Sequence, residues 1–538
     1  MSFTQLAKDR PRLLIVGGGY VGFTVAQELQ KRIKDSGGVV TVVDPNPYMM
    51  YLPFLPEVAG GNVSARSAVV PHRQHLKDCE IVTGHVLGVD HANRTATVKG
   101  IDEGETFELT YDEVVIAGGS VTRAFPIEGL AENGIGLKTI EEAVAVRNWV
   151  LERIEVASLT TDEEAKRRAL TFVVVGGGYA GTETIAEIED MARSAVERNE
   201  RLTVSDLRFV LIEAMGRIMP EVSEERAEKV VAHLRSRGIE VLLNTSLASA
   251  VDKHLKLVNM QDKSPAGEFG TDTLIWTAGV QANPLVKSTD FPLDERGRVR
   301  AGADLRITGD DGPLEGAWAA GDVSAVPDLT GGGVGGFCVP NAQHAVRQAH
   351  TMAKNIMAAR AGKPLEDYYH ENLGAVAGLG LYKGVASIKG LPGLPAKGLE
   401  FSGVAAWAMH RLYHGYAIPT VDRKARVFTE WALNFVFGRD TTTLRHERDP
   451  RTRFQTAAGK APAPRKATSD PIRPPLDPVP ATCRGGVELF HGAVTPPARP
   501  PWRLPRGPAG RPSVSGCSGG GRSRGRPVPR SAPGGARA

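Results

Sequence analysis

Cysteine is scarce in this sequence. Its four residues, Cys79, Cys338, Cys483 and Cys517, form no C-x-x-C pair and no metal-ligand spacing. That excludes a disulfide scaffold and a thiolate metal site, leaves no metal expected, and fits a reducing compartment. Long apolar runs are also missing. No uninterrupted stretch reaches the ~20 residues that span a bilayer, and the N-terminal MSFTQLAKDRPR enters an apolar run without the hydrophobic core of a signal peptide. The expectation is a protein that is neither exported nor membrane-spanning. A basic body is the third absence: from Thr456 onward 14 Lys/Arg stand against 3 Asp/Glu, so the formal net charge of +4 hides an acidic chain before that point. No nucleic-acid partner is expected.

What is present begins with length and composition. A chain of 538 residues, 41% hydrophobic and 23% charged, has room for several domains and reads as an ordinary globular protein. Two copies of one glycine pattern stand out, LLIVGGGYVG at Leu13 to Gly22 and FVVVGGGYAG at Phe172 to Gly181. Each reads as a buried parallel strand, a tight turn and the start of a helix. Gly17, Gly19 and Gly22, and again Gly176, Gly178 and Gly181, are placed for a left-handed turn, close approach of a pyrophosphate and tight helix packing. One such string is weak evidence; two, each behind an apolar run, predict two dinucleotide sites.

The rest of the chain can be divided around them. The spacing predicts an arm (1–10), a first dinucleotide unit (11–165), a second (166–285), a returning part of the first (286–364), a C-terminal region (365–446) and a disordered Pro/Gly/Arg-rich tail (447–538). The returning part is inferred from GAWAAGDVSAV at Gly316 to Val326, another strand that ends in glycine. The fold class is therefore α/β, with two Rossmann-like three-layer domains, one inserted into the other, followed by amphipathic helices.

Acidic residues refine each site. Asp44 ends the second apolar run, roughly 20 residues past the first turn, where a carboxylate accepts hydrogen bonds from an adenosine ribose; the lesser alternative is a turn carboxylate before Pro45. Glu213 is its equivalent in the second unit. A carboxylate there favours NADH and repels the 2′-phosphate of NADPH, a preference that nearby Arg217 could moderate. Asp322, after Gly321, is placed to hold the sugar-alcohol chain of a flavin dinucleotide. Glu183, near the start of the second helix, reads either as a carboxylate favoured by the helix dipole or as a group that orients a ring or relays protons.

Together these residues resemble the two-dinucleotide flavoproteins, and more narrowly the type II NADH dehydrogenases, single-subunit NADH:quinone oxidoreductases. The more specific matches are YLPFLPEVAGGNVS after Asp44, IWTAGV at Ile275 to Val280, WAAGDVSAVP at Trp318 to Pro327 and PNAQHAVRQA at Pro340 to Ala349. The resemblance implies non-covalent FAD on Gly17, Gly19, Gly22, Asp44, Val86, Gly119, Ser120, Gly321 and Asp322. It implies NADH on Gly176, Gly178, Gly181, Glu183, Glu213 and Gly279. Gln343 would sit at the flavin's pyrimidine edge, where the quinone approaches, with Arg347 and Gln348 beside it; Glu183 and Gln343 would be the catalytic residues. Arg347 stands where the family usually carries a second glutamine.

Absences narrow the chemistry further. No cysteine pair lies between Asp44 and Asp78, as a disulfide reductase of this kind would need, and Cys79 and Cys338 are not an obvious sulfide-oxidising pair. A lone, apolar-flanked Cys338 reads as a small packed residue. The segments FSGVAAWAMHRLYHGY and ARVFTEWALNFVFGR both read as amphipathic helices, with Phe428, Trp431 and Phe435 on one face and Arg423, Lys424 and Arg426 close by. Such a stripe serves either core packing or attachment to a membrane surface. The resemblance favours peripheral attachment on the cytoplasmic side of the cell membrane, with menaquinone or ubiquinone as partner, and leaves a homodimer open. Its implied reaction is hydride transfer from NADH to FAD, then two electrons to a quinone without proton pumping. Two alternatives stay open: a soluble NAD(P)H oxidoreductase with a diffusible or protein acceptor, and an NADH-sensing flavoprotein.

Overall fold

The computed structural model describes residues 10–102, 104–333, 335–371, 374–388 and 399–443. Residues 1–9 of the arm and the 447–538 tail lie outside the described residues. The strand Arg12–Val16 is buried along its whole length, which is why it reads as a continuous apolar run rather than an alternating one. It pairs in parallel with Val39–Asp44 on one side and Glu113–Ile116 on the other. Gly312–Ala319 then joins Glu113–Ile116, also in parallel, so the chain returns to its first sheet after a long excursion. The sheet has eight strands, of which Thr95–Gly100 and Thr106–Thr110 form an antiparallel ribbon at one edge. Leu13 and Ile15 face the helix Tyr20–Asp35, while Leu14 and Val16 face the ribbon side, which gives the three layers.

The excursion is a second domain of the same design. Thr171–Val175 is central, with Arg208–Ile212 and Thr273–Trp276 as parallel neighbours, in a five-stranded sheet. Phe172 and Val174 pack in the helical layer; Val173 and Val175 pack against a small antiparallel sheet that contributes Leu247, Leu255 and Leu257. One boundary differs from the sequence reading. Gly134–Gly136 pairs in parallel with Thr273–Trp276, so the second domain takes up chain well before residue 166. Its sequence, GIG, is too short and too glycine-rich to signal a strand; the partner strand makes it one. The helix Ile140–Leu159 follows, held at its start by a reciprocal capping box between Thr139 and Glu142. Where the chain crosses between the domains, Ser120–Thr122 and Val280–Ala282 form a two-stranded ribbon.

The C-terminal region carries more than helices. A three-stranded antiparallel sheet, Gly374–Gly378, Gly384–Ile388 and Leu399–Ser402, precedes the helices Gly403–Ala417 and Val421–Phe437. The aromatic stripe also divides. Trp431 is buried edge-on against Phe54, at 5.8 Å between ring centroids, whereas Phe435 is 71% exposed. Arg423 is no surface cation either: it is buried, with its guanidinium donating to Arg66 O at 2.7 Å. Among the described residues no helix is long and apolar enough to cross a membrane.

Candidate active site

The two glycine turns repeat each other position by position. Gly17 has φ +102° and Gly176 φ +110°, and a Cβ on either would strike backbone, at 2.4 Å from Ala117 O and 2.8 Å from Ala278 N. A Cβ on Gly22 would lie 1.8 Å from Gly17 O, and one on Gly181 1.9 Å from Gly176 O, so these third glycines let the helix close onto the turn. Gly19 and Gly178 are different, since no atom would crowd a Cβ at either. They cap their helices without a side-chain hydrogen bond, which keeps the first helical N–H groups available to an anionic group.

The acidic strand ends are built into this geometry. Asp44 accepts the N–H groups of Gly18 and Asn46, both at 2.7 Å, and Glu213 accepts those of Gly177 at 2.5 Å and Met215 at 2.7 Å. Each carboxylate therefore links strand end to turn and keeps lone pairs for a further donor. Burial lifts the Asp44 carboxyl above its ordinary range, against the pull of its two backbone donors. Arg217 is tied to the carbonyls of Pro220, at 3.1 Å, and Val222, which occupies a guanidinium that sequence alone left free to offset Glu213.

At the first turn these pieces line a cleft of about 560 Å³, a size suited to a large cofactor. Gly17, Gly19, Asp44, Val86, Gly119, Ser120, Gly321 and Asp322 all contribute to its walls, while Gly22 packs behind. Ser120 Oγ donates to Asp322 Oδ2 at 2.6 Å, and Lys138 Nζ lies 3.8 Å from the same oxygen. Gly321, at φ +77°, makes the turn that aims Asp322.

Several residues escaped the sequence reading. Lys138 lines the cleft from the crossing segment. His72, fully buried, lies beneath the first turn with Nε2 2.9 Å from Gly18 O, and burial pushes its pKa down. Tyr20 lines the cleft, and its buried hydroxyl has no hydrogen-bond partner among the described residues; neither does that of Tyr179 at the matching place in the second turn. Only the repeated GGGY string hinted at this tyrosine pair.

Two expected residues, Gln348 and Glu183, stand differently, and Gln343, Arg347 and Gly279 gain definite partners. Gln348 is 2% exposed and its Oε1 accepts the Gly321 N–H at 2.8 Å. It braces the Asp322 turn from inside and offers no surface to a quinone. Gln343 Oε1 is 2.9 Å from His370 Nε2, and Arg347 donates to the Gln343 carbonyl at 3.2 Å. Burial, aided by Arg347 and His344, pushes His370 down to about 4, so it is neutral at pH 7 and serves Gln343 as an Nε2–H donor. Glu183 is not in the first helical turn, because the helix starts at Tyr179 and is acid-free in that turn; this removes the dipole reading. It is buried, with Oε1 accepting the Gly378 N–H at 2.8 Å and lying 3.3 Å from His410 Nε2. Gly279, at φ +107°, closes the ribbon between the domains, its carbonyl accepting the Arg123 N–H at 3.1 Å.

The described thiols are inert. Cys79 and Cys338 are free, and burial, with Asp78 and Asp328 adding, lifts them to about 12 and about 11.

Residues 11–352 match the family model of the pyridine nucleotide-disulphide oxidoreductases. The chain belongs to that family. Within it, the chain is similar to the type II NADH:quinone oxidoreductase NdhA of Mycobacterium tuberculosis, at 28% identity over 79% of this chain and 87% of that protein. It is also 26% identical to a probable NADH dehydrogenase of Dictyostelium discoideum, over 81% of this chain and 92% of that one. Among solved structures, NDH2 of Plasmodium falciparum in complex with NADH shares the fold, with TM-score 0.72 at 18% identity, covering 80% of this chain and all of that one. This member of the family has the paired turns without a cysteine pair after the first.

Proposed function

We propose that the chain is an FAD-dependent NADH:quinone oxidoreductase, non-covalent in its flavin and without proton pumping. The observation that carries this reading is the pair of equivalent turns, each with its carboxylate, of which the first opens into a large cleft completed by Asp322 from the returning segment. The cleft fits a flavin dinucleotide: the Gly19 helix end suits a pyrophosphate, Asp44 a ribose, Asp322 a polyol, and the Tyr20 hydroxyl lacks a partner that a cofactor would supply. When bound, FAD supplies the two-electron chemistry that joins hydride acceptance to quinone reduction. Gly176, Gly178 and Gly181 receive the NADH pyrophosphate, Glu213 holds its ribose hydroxyls, Gly279 lies beside it and Val86 offers backbone toward the flavin's adenine. Gln343 faces the acceptor side with Arg347 next to it. By residue, 11–165 and 286–364 hold FAD and 166–285 holds NADH, the latter gaining the Gly134–Gly136 edge.

The same reading places the protein on the cytoplasmic face of a membrane, where menaquinone or ubiquinone is reached. Tyr416, near the end of Gly403–Ala417, and Val421, Phe435 and Phe437 on Val421–Phe437 are each more than 70% exposed, with Lys424 and Arg426 on the latter helix. Large apolar side chains beside cations suit an interfacial anchor.

The deciding experiment is purification followed by a flavin absorption spectrum, and comparison of NADH with NADPH oxidation with and without a short-chain quinone. A yellow protein that prefers NADH and needs quinone for turnover supports the proposal. A colourless protein inert to both overturns it.

A further inference from the structure

Where the C-terminal segment meets both nucleotide domains, charged side chains are buried together. Glu57 comes from the short helix Leu55–Ala59, and Glu183 and Glu187 from Tyr179–Val196; each is at most 8% exposed. Arg411 approaches Glu57 at 3.9 Å and Arg439 approaches Glu187 at 3.1 Å. Among the described residues neither guanidinium comes within ion-pair reach of Glu183. His410 does. It is 3% exposed, with Nε2 3.3 Å from Glu183 Oε1 and Nδ1 3.9 Å from Glu57 Oε1.

The contacts on Glu183 are one-sided. Oε1 accepts the Gly378 N–H and lies within ion-pair distance of His410 Nε2, which makes no hydrogen bond among the described residues, and both groups come from the C-terminal region. Oε2 takes no hydrogen bond among the described residues. We propose that His410 is a positioning residue for the acceptor half of the reaction: with Gly378 it clamps Oε1 of Glu183, leaving Oε2 as the oxygen turned toward the reacting groups. The site is then complete only with the helix Gly403–Ala417 in place. This inference rests on the function proposed above and on Glu183 being one of its catalytic residues, as the resemblance implies.

The electrostatics agree with the geometry. Burial pushes the imidazole down, but Glu183 and then Glu57 outweigh it, with Arg411 opposing, and His410 titrates above its ordinary range. His414, one turn on, is hydrogen-bonded through Nδ1 to the Tyr51 hydroxyl at 3.0 Å; burial and His410 push it well below that range, so it is no competing cation. Asp190 on the Glu183 helix is engaged by Arg237, Lys383 and Arg439.

The test uses the holoenzyme with His410→Gln, His410→Lys and Glu183→Gln. Two readouts are compared: quinone-dependent turnover against the rate of flavin bleaching by NADH without quinone, both across pH, and denaturation midpoint across pH. His410→Gln lowers quinone turnover about tenfold more than flavin bleaching, as misplacement of one reacting group does. The alkaline limb of the wild-type turnover profile, where the imidazolium loses its proton, disappears in His410→Gln and moves to higher pH in His410→Lys. In the stability arm, the advantage of wild type over His410→Gln is full below about pH 6, is lost as pH rises through the raised His410 titration, and shrinks to what Glu57 alone supports in a Glu183→Gln background. An unchanged alkaline limb, equal slowing of both half-reactions, or a pH-dependent stability difference undiminished by Glu183→Gln overturns the proposal. Should His410→Gln fail to fold, His410→Lys carries both arms. If wild type does not turn over quinone at all, the proposed function falls, and the stability arm still decides whether His410 clamps Glu183.

Discussion

The two glycine turns are alike at the level of single atoms and unlike in what surrounds them. Both have a left-handed first glycine, an open second glycine at a helix end and a third that admits no Cβ. Behind the first turn stand His72, the Asp322 turn and the Ser120 hydroxyl, which together build a walled cleft. The second helix instead turns Glu183, Glu187 and Glu189 inward, where the C-terminal segment and neighbouring arginines meet them. A local motif can therefore specify a phosphate cradle, but its neighbours decide whether the ligand is enclosed and kept or admitted and released.

Substituting the third glycine of each turn breaks that comparison most severely. Gly22→Val and Gly181→Val force atoms into a space less than 2 Å from a carbonyl oxygen, an overpacking cost of about 2 kcal/mol or more. Gly22→Val is expected to purify without flavin colour. Gly181→Val is expected to keep its colour while NADH no longer bleaches it. Loss of flavin from both would show that the sites are not separable.

A smaller effect comes from the returning segment. Asp322→Ala removes the acceptor of Ser120 and the nearby partner of Lys138; loss of charged hydrogen bonds of about 1.5–3 kcal/mol weakens flavin retention roughly ten- to hundredfold in a dialysis titration. At the second turn, Glu213→Gln keeps one acceptor but loses the charge. NADH is then expected to lose about fivefold in kcat/KM, and NADPH to gain, a shift near 1 kcal/mol.

The Tyr179–Val196 helix supplies a pH test. Burial lifts the Glu187 carboxyl to about 7, against Arg439 and with Glu57 adding. Because this folded-state value lies above the unfolded one, its stabilising contribution is full below about pH 4.3 and is lost as pH rises through about 7. Glu187→Gln should flatten that decline in chemical denaturation between pH 5 and 8, and an unchanged slope would count against a buried, titrating Glu187. Smallest in its effect on folding is Phe437→Asp, at a side chain 78% exposed. It is expected to leave the unfolding free energy within about 0.5 kcal/mol of wild type and to reduce vesicle flotation. Truncation after Leu399 is a poorer probe, since it deletes the buried His410, Val427 and Trp431.

Much of the first cleft was legible before folding. Glycines and strand-end acids work through backbone a few residues away, so Gly17, Asp44, Gly176 and Glu213 could be read as pattern. The second domain's true start was not, because Gly134–Gly136 is a strand only by virtue of Thr273–Trp276 beside it. Gln348 followed a glutamine pattern toward the quinone, yet helix phase turns it inward onto Gly321. Phe428, Trp431 and Phe435 share a face in any helical projection, but that face straddles the protein boundary, so Trp431 is core and Phe435 surface.

The amino-acid sequence by itself determined the two turns, their acidic strand ends, the insertion of one domain in the other and the lack of a cysteine pair. All of these depend on short-range geometry or on residue counts. Only the tertiary structure decided the partners of Glu183. His410 and Gly378 lie more than 190 residues away from it in the chain, and no periodicity connects a carboxylate on one helix with an imidazole delivered by another. Burial makes that contact matter, because a charge removed from water must find its partner wherever the fold brings one.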